Sequence, residues 1–363
     1  MTPHEFADLK AGLDQLKDSG FAGGAALATL VRTRGPVFRR AGTRMLVHGD
    51  GRVVRGLSAG CPEADIVERA REVIVAGQAR LLCYDREHGY DALLELGCGG
   101  EMEVLLEPLR SPADLRFADA AAQCLDARGQ GTLMTVFAAE GRCLPHPRRL
   151  LWNQALVLDE LGDARSADAV LSQALSGETG NGARLDEVLS GSQRMQVLVE
   201  RLQAPLRLVL IGVGTTTLAL AGIARGLGWS TLLVDHRDDT PAPALPAGAS
   251  LLRGGAAQLE WQLRFDARTA VLVMTHNLER DLDYLRVLRH QPLLYLGAVG
   301  SRNRAAQMHS AVGDSLTPLS APAGLDIGSE TPEEIALAIA AEIQGAVHGR
   351  GGGRLSTRDG PIH

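Results

Sequence analysis

The spacing of apolar and polar residues changes character near Pro205. Before it, short apolar runs separated by turn residues predict strands at Ala25–Val31, Arg44–Val47, Arg52–Gly56, Ala79–Tyr84 and Glu101–Leu106. His48-Gly49-Asp50-Gly51 lies between the second and third of these, and Asp-Gly readily accepts the positive φ of a tight hairpin. Phe6, Leu9, Leu13 and Leu16 recur at helical spacing. After Cys61, Pro62 suits a first helical position, and Ile66, Val67, Ala70, Val73 and Ile74 form an apolar stripe behind it. A helix over Pro112–Arg128 and a strand over Thr132–Ala138 follow. Leu27-Ala28-Thr29-Leu30-Val31 is echoed by Leu133-Met134-Thr135-Val136-Phe137, and Arg148-Arg149 follows the second run, a pattern that an internal duplication would leave. Residues 153–193 are rich in Ala, Asp, Ser and Gly, and read as an insertion or connector with two helical pieces.

Beyond Pro205 the runs lengthen and alternate in type. Leu206–Ile211, Thr231–Val234, Ala270–Thr275 and Leu293–Leu296 are near-continuous apolar strands, and a helix is predicted over Thr216–Leu227, with further helices after the last two strands. Strands apolar on both faces, alternating with helices, imply a parallel sheet covered on both sides. The expected fold class is therefore α/β: an N-terminal α/β domain followed by a Rossmann-like, doubly wound parallel sheet. The expected boundaries are 1–200 (core about 20–140, then a variable connector), 201–348, and a flexible tail at 349–363 that opens on Gly349-Arg350-Gly351-Gly352-Gly353.

Composition narrows the function classes. The 363 residues are 45% hydrophobic and 22% charged, which is globular. A net charge of −6 and 4% aromatics argue against a nucleic-acid partner, which calls for a basic surplus or stacking platforms. Leu208–Ala224 is uncharged, but Gly212, Gly214 and three consecutive threonines make it a strand, turn and helix rather than a membrane span. The N-terminus is charged and amphipathic with no secretory core, so a soluble, cytoplasmic protein is expected. Five scattered cysteines, all within the first 143 residues, do not form a disulfide framework or a Cys-x-x-Cys zinc site.

The candidate chemistry falls in both halves. Gly212-Val213-Gly214 directly follows a strand, where the turn and the next helix N-terminus can receive a phosphate. Asp235, followed by Arg237, ends the second strand at the spacing of a ribose-binding carboxylate, although Thr217 stands in the place of the third glycine. His276 sits just past a strand end, with Asp281 placed to orient it or to cap a helix. Gly300-Ser301-Arg302-Asn303-Arg304 offers a second anion-friendly helix start. Thr331-Pro332-Glu333-Glu334 is accounted for as a capping box, which leaves Asp326 and Glu330 for ligand or domain contacts. In the first half, Cys61 immediately precedes Pro62 at a helix start, where the dipole favours thiolate, while Glu63 and Asp65 partly oppose that effect. Cys98 lies in the glycine turn Gly97-Cys98-Gly99-Gly100. Small buried cysteines beside glycine would account for the same residues. An NAD(P)-dependent oxidoreductase, with Asp235 on the ribose and His276 as proton donor, is the alternative reading, and a scaffold with both sites empty is a third.

Taken in order, these blocks resemble the XdhC/CoxI family of xanthine dehydrogenase accessory proteins. The resemblance rests on Ala28-Thr29-Leu30-Val31, Gly42-Thr43-Arg44-Met45, Ala59-Gly60-Cys61-Pro62-Glu63 and Gly97-Cys98-Gly99-Gly100. In the second half it rests on Gly212-Val213-Gly214, Val234-Asp235-His236-Arg237, Thr275-His276, Gly297-Ala298-Val299-Gly300-Ser301-Arg302 and Gly324-Leu325-Asp326-Ile327-Gly328. It covers roughly residues 20–108 and 195–345. It implies a chaperone that binds the molybdenum cofactor (molybdopterin), keeps it available for sulfuration by a cysteine desulfurase, and delivers it to a molybdenum hydroxylase of the xanthine dehydrogenase type. It also implies a homodimer. By matching position, Cys61 is the thiol that meets the metal, Gly60 and Glu63 shape its loop, and Cys98, Gly99 and Gly100 form a second wall. Gly212, Gly214, Asp235, Arg237, His276, Ser301, Arg302 and Asp326 line the second half's crevice, for NAD(P) or another nucleotide. The chain departs from the family pattern in reading Ala59-Gly60-Cys61-Pro62-Glu63 for Gly-Gly-Cys-Val-Glu. It also reads Thr33-Arg34-Gly35-Pro36-Val37-Phe38-Arg39 where the family has a Gly-Ser-Ser/Ala-Pro-Arg turn.

Overall fold

The computed structural model describes residues 1–35, 39–57, 61–85, 100–177, 182–237 and 244–357, with Cys61 described in its backbone only. The chain divides into two compact units, Met1–Ala204 and Pro205–His363. No helix among the described residues is long and apolar enough to cross a membrane.

The first unit opens with helix α1 (Pro3–Asp18), started by a capping box between Thr2 and Glu5. Its buried residues are the predicted Phe6, Leu9, Leu13 and Leu16, with Gly12. Strands β1 (Ala25–Arg34), β2 (Arg44–His48) and β3 (Val53–Val54) lead into α2 (Cys61–Ala76), then β4 (Arg80–Tyr84) and β5 (Glu101–Leu109). They form an antiparallel sheet in the order β3-β2-β1-β5-β4. Alternation along β1 decides which residue meets which layer. Ala26, Ala28 and Leu30 join Ile66, Ala70 and Val73 of α2 in one core, whereas Ala25 and Leu27 join Leu9, Leu13 and Leu16 of α1 in another.

A short 3₁₀ turn (Pro112–Leu115) and α3 (Arg116–Asp126) occupy the predicted 112–128 helix. A second sheet follows: β6 (Gly131–Ala139), β7 (Arg142–Asn153), β8 (Ala155–Asp159), helix α4 (Ala164–Ser176), β9 (Arg184–Ser190) and β10 (Gln193–Leu202), in the order β8-β7-β6-β10-β9. This corrects the reading of residues 153–193 as a connector with two helical pieces. Among its described residues the stretch holds one helix between strands β8 and β9, and Ala167, Val170 and Ala174 of that helix pack on Met134, Val136, Val197 and Val199.

The second unit is a six-stranded, wholly parallel sheet of β11 (Arg207–Ile211), β12 (Ser230–Asp235), β13 (Ala249–Arg253), β14 (Thr269–Val273), β15 (Tyr295–Ala298) and β16 (Leu319–Ser320). Its order is β13-β12-β11-β14-β15-β16. Helices α5 (Thr215–Gly226) and α9 (Pro332–Val347) cover one face through Leu220, Ala221, Ala224, Ile339 and Ile343. Helices α6 (Ala256–Gln262), α7 (Leu278–Leu288) and α8 (Arg302–Val312) cover the other through Leu259, Leu285, Leu288, Met308 and Val312. The order reverses between β11 and β14, so the loops leaving those two strands flank the crevice where such sheets bind ligands. This is the Rossmann-like arrangement that the apolar runs predict.

Candidate functional site

In the first unit, four elements converge at one end of the first sheet. The end of β1 pairs with the start of β5, Arg34 opposite Glu101, Thr33 opposite Met102 and Arg32 opposite Glu103. On the other side of β5, Tyr84 and Cys83 at the end of β4 oppose Met102 and Glu103. The Tyr84 hydroxyl donates to Asp65 in the first turn of α2 at 2.7 Å, which ties the helix start to the same end. An open depression there is lined by Arg32, Arg34, Cys83, Tyr84, Met102 and Glu103, with Asp85 and Glu101. Arg32 is paired with Glu103 at 2.9 Å, whereas Arg34 has no ion-pair partner among the described residues. Burial, with the Glu103 and Asp85 carboxylates adding to it, pushes the Cys83 thiol up.

Cys61 is the first residue of α2. That places its backbone at the positive end of the helix, one position further in than the cap expected from Pro62. Glu63, two residues on, turns back over the β3–α2 connection: a β-carbon on Gly56 would lie 2.9 Å from its Oε1. Gly100 is buried at the start of β5. Gly60, Cys98, Gly99 and the Cys61 side chain lie outside the described residues. Among the described residues, no group of three or more His, Cys, Asp or Glu side chains is placed to hold a metal ion.

The crevice of the second unit presents the fingerprint residues in a different condition from the one the motif suggests. Gly212 has φ 103°, and a β-carbon there would stand 2.6 Å from the Met274 carbonyl oxygen, so its glycine is required by packing against the end of β14. Gly214 faces open space. Its N–H donates to Thr217 Oγ1 at 2.8 Å, and the Thr217 hydroxyl donates back to the Gly214 carbonyl at 2.8 Å. Thr217 is thus a clasp on the turn that a third glycine would have left open. Asp235 is 1% exposed, and both of its oxygens are taken by Arg237, through Nε at 2.9 Å and Nη2 at 3.1 Å, with the Arg237 backbone N–H at 3.1 Å. Burial opposes ionisation of this carboxyl, but Arg237 outweighs it and holds the group below the usual aspartate range.

His276 is exposed in the left-handed region at φ 63°, and its side chain bonds to no other described residue. Asp281 neither caps α7, which Asn277 does, nor reaches His276. It is fully buried and accepts from the Thr275 backbone N–H at 3.0 Å and the Thr275 hydroxyl at 2.6 Å, and it is paired with Arg304. This buried pair joins the loop after β14 to the start of α8. Ser301 is the N-cap of α8, accepting from the Arg304 N–H, while Arg302 and Asp326 are exposed. Sequence reasoning missed the Asp281–Arg304 link, although an acidic residue on the apolar side of a helix is a signal that finds such pairs.

Comparisons with known proteins match both units. A family model described as the XdhC Rossmann domain matches residues 208–343, and one described as the XdhC and CoxI family matches residues 22–85. A Bacillus subtilis protein named as a probable xanthine dehydrogenase subunit is 28% identical over 323 residues, covering 88% of this chain and 92% of its own. An Escherichia coli protein named molybdenum cofactor insertion chaperone PaoD is 27% identical over 327 residues, covering 88% of this chain and 82% of its own. A crystal structure described as a xanthine dehydrogenase from Bacillus halodurans has the same fold, with a TM-score of 0.77 at 22% identity over 96% of this chain and 97% of the other. Two matched segments in one order, and relatives aligned through most of both chains, agree with the sequence motifs: this chain belongs to the XdhC and CoxI family.

Proposed function

We propose that this protein is a maturation chaperone that carries a molybdopterin-type cofactor as cargo and assists its insertion into a molybdenum hydroxylase. The observation that carries this reading is the alignment of the Escherichia coli insertion chaperone over 88% of this chain. The end of the first sheet fits such cargo chemically. A phosphate calls for a cation, and Arg34 is one without an ion-pair partner among the described residues. A soft metal and its sulfurs call for sulfur ligands, and Met102 and Cys83 both line the depression, Met102 on the sheet face that packs against the helix beginning at Cys61.

In this reading Cys61 is a reversible ligand to the metal, Gly60 and Glu63 set the loop that presents it, and Cys98, Gly99 and Gly100 close the other wall. Sulfuration by a cysteine desulfurase takes place while the cargo is held, and release is to a hydroxylase of the xanthine dehydrogenase type. The protein acts as a cytoplasmic homodimer. An NAD(P)-dependent oxidoreductase is the weaker reading, because the Gly214 N–H and the Asp235 carboxylate, the groups a dinucleotide would use, are already engaged by Thr217 and Arg237.

The test is to purify the protein and its Cys61→Ala variant from a molybdopterin-producing host, then assay bound pterin and molybdenum. The variant should hold about tenfold less or lower still, since even losing a group that only orients a metal ligand costs about 10-fold in affinity. Limiting iodoacetamide at pH 7 should modify Cys61 before Cys83, Cys124 or Cys143, because burial pushes those three thiols up, Cys143 to about 11. Full cargo retention and client activation by Cys61→Ala would overturn the assignment of Cys61.

A further inference from the structure

We infer that the first unit contains one α/β module twice, related by an internal two-fold exchange, and that only the first copy keeps an open ligand end. The order of elements repeats: helix, three antiparallel strands, helix, two strands. The sheet orders β3-β2-β1-β5-β4 and β8-β7-β6-β10-β9 correspond strand for strand. The helix between the third and fourth strands covers equivalent positions in each copy: α2 packs on Ala28, Leu30, Val104 and Leu106, and α4 on Met134, Val136, Val197 and Val199.

The chemistry repeats as well. Thr29 opposes Arg44 across β1 and β2, and Thr135 opposes Arg149 across β6 and β7. Glu107 opposes Leu27, and Glu200 opposes Leu133. Both threonine hydroxyls are buried without a hydrogen-bond partner. The decisive feature is that the ion pairs are exchanged between copies. Arg44 of the first copy binds Glu200 of the second at 2.7 and 2.5 Å, and Arg149 of the second binds Glu107 of the first at 2.6 and 2.7 Å. Both guanidinium groups lie over the ring of Phe117, at 5.8 and 4.1 Å. A contact from one copy answered by the equivalent contact in reverse is what a two-fold axis imposes on an interface.

The copies differ where β4 meets β5 and where β9 meets β10. The second hairpin turns through Gly191 and Ser192 alone, with Ser190 paired to Gln193. Glu140 closes that end, accepting from the Arg194 N–H at 2.6 Å and donating its own N–H to the Arg194 carbonyl at 2.9 Å. In the first copy Tyr84 and Glu101, which end β4 and begin β5, are seventeen positions apart in the sequence, too far for such a two-residue turn, and the depression lined by Arg32, Arg34, Cys83 and Met102 opens at that end of the two strands. Ligand binding is therefore confined to the first copy, and the second serves to seal its inner face. The confinement rests on the carrier reading; the duplication does not.

Two arms, both in the full chain, test this. The single changes Arg44→Glu and Arg149→Glu should each lower the melting midpoint by about 10 °C, as expected for a broken buried pair. Arg44→Glu with Glu200→Arg, and Arg149→Glu with Glu107→Arg, should each recover at least half of the loss, whereas Arg44→Glu with Glu107→Arg should not. Recovery in one pair and none in the other would overturn the two-fold exchange. In the second arm, Arg34→Glu and Cys83→Glu are made together in the depression, and separately ten Gly-Ser residues are inserted between Gly191 and Ser192. The first change should abolish pterin retention and the second should leave it intact. Retention lost on the insertion, with the midpoint unchanged, would overturn the confinement. A parent protein that holds no pterin would sink the carrier reading while leaving the charge-exchange arm standing.

Discussion

Replacing Asp281 by Asn tests whether the loop after β14 is held by charge. The change preserves the side chain's shape and can preserve the bond from the Thr275 N–H, but it removes the negative charge facing Arg304 and turns a donor toward a donor. Asp281 is fully buried, and the Arg304 side chain is 23% exposed with its Nε buried and without a partner. Removing one member of a buried pair costs about 3–5 kcal/mol. Partial rehydration of Arg304 places the expected loss near the lower bound, about 3 kcal/mol. At about 2–4 °C per kcal/mol for a domain of this size, the second unit should melt about 6–12 °C lower. Urea unfolding at pH 7, followed by far-ultraviolet circular dichroism and by tryptophan fluorescence, gives the free energy directly. Asp283→Asn on the same helix is the control. Its pairing with Arg286 is exposed on both sides and should matter by about 0.5 kcal/mol or less. A loss of less than about 1 kcal/mol for Asp281→Asn would refute the claim that this pair anchors the loop. So would an Arg304→Gln change whose cost simply adds to that of Asp281→Asn, since coupled partners must not be additive.

Two further outcomes follow from the crevice. Arg237→Met should destabilise the protein at pH 7. Because Arg237 holds the Asp235 carboxyl below its usual range, the stabilisation exists above the unfolded-state value near about 4. It disappears as pH falls through the lower folded-state value, so parent and variant should converge in acid; a gap that widens below about pH 4 would contradict the assignment. Gly212→Ala should cost about 2 kcal/mol or more, given its left-handed φ and the Met274 carbonyl in the way, whereas Gly214→Ala, in extended backbone facing open space, should stay within about 0.5 kcal/mol. Equal costs, measured by chemical denaturation, would remove the distinction drawn between the two glycines.

The parallel sheet was legible because its strands are buried on both faces, so Leu208–Ile211 and Ala270–Val273 show as unbroken apolar runs. The second antiparallel sheet was not. Pro145 and Pro147 interrupt β7, whose first seven residues are largely exposed, and β8 lies at the sheet edge with Leu156 and Val157 in the open. Its other half, β10, pairs with a strand more than fifty residues earlier, a distance at which no local period reports pairing. The candidate site divides the same way. Spacing located Gly212, Gly214 and Asp235 at the strand ends that the fold brings to the crevice, but the clasp by Thr217 and the capture of Asp235 by Arg237 depend on side-chain direction, which spacing does not carry. Glu107 and Glu200 were readable as oddities, each an acid directly after an apolar run (Val104-Leu105-Leu106 and Val197-Leu198-Val199), yet their exchanged partners required the fold.

The Thr217 clasp has a consequence for how the molecule is maintained. A turn that completes its own hydrogen bonds does not depend on a visitor to hold its shape, so occupancy of that crevice adds to stability only through mass action and not by repairing a defect. The turn in the second unit is therefore complete without a bound molecule, and a ligand that does bind there raises resistance to unfolding and proteolysis only as its concentration rises over its Kd.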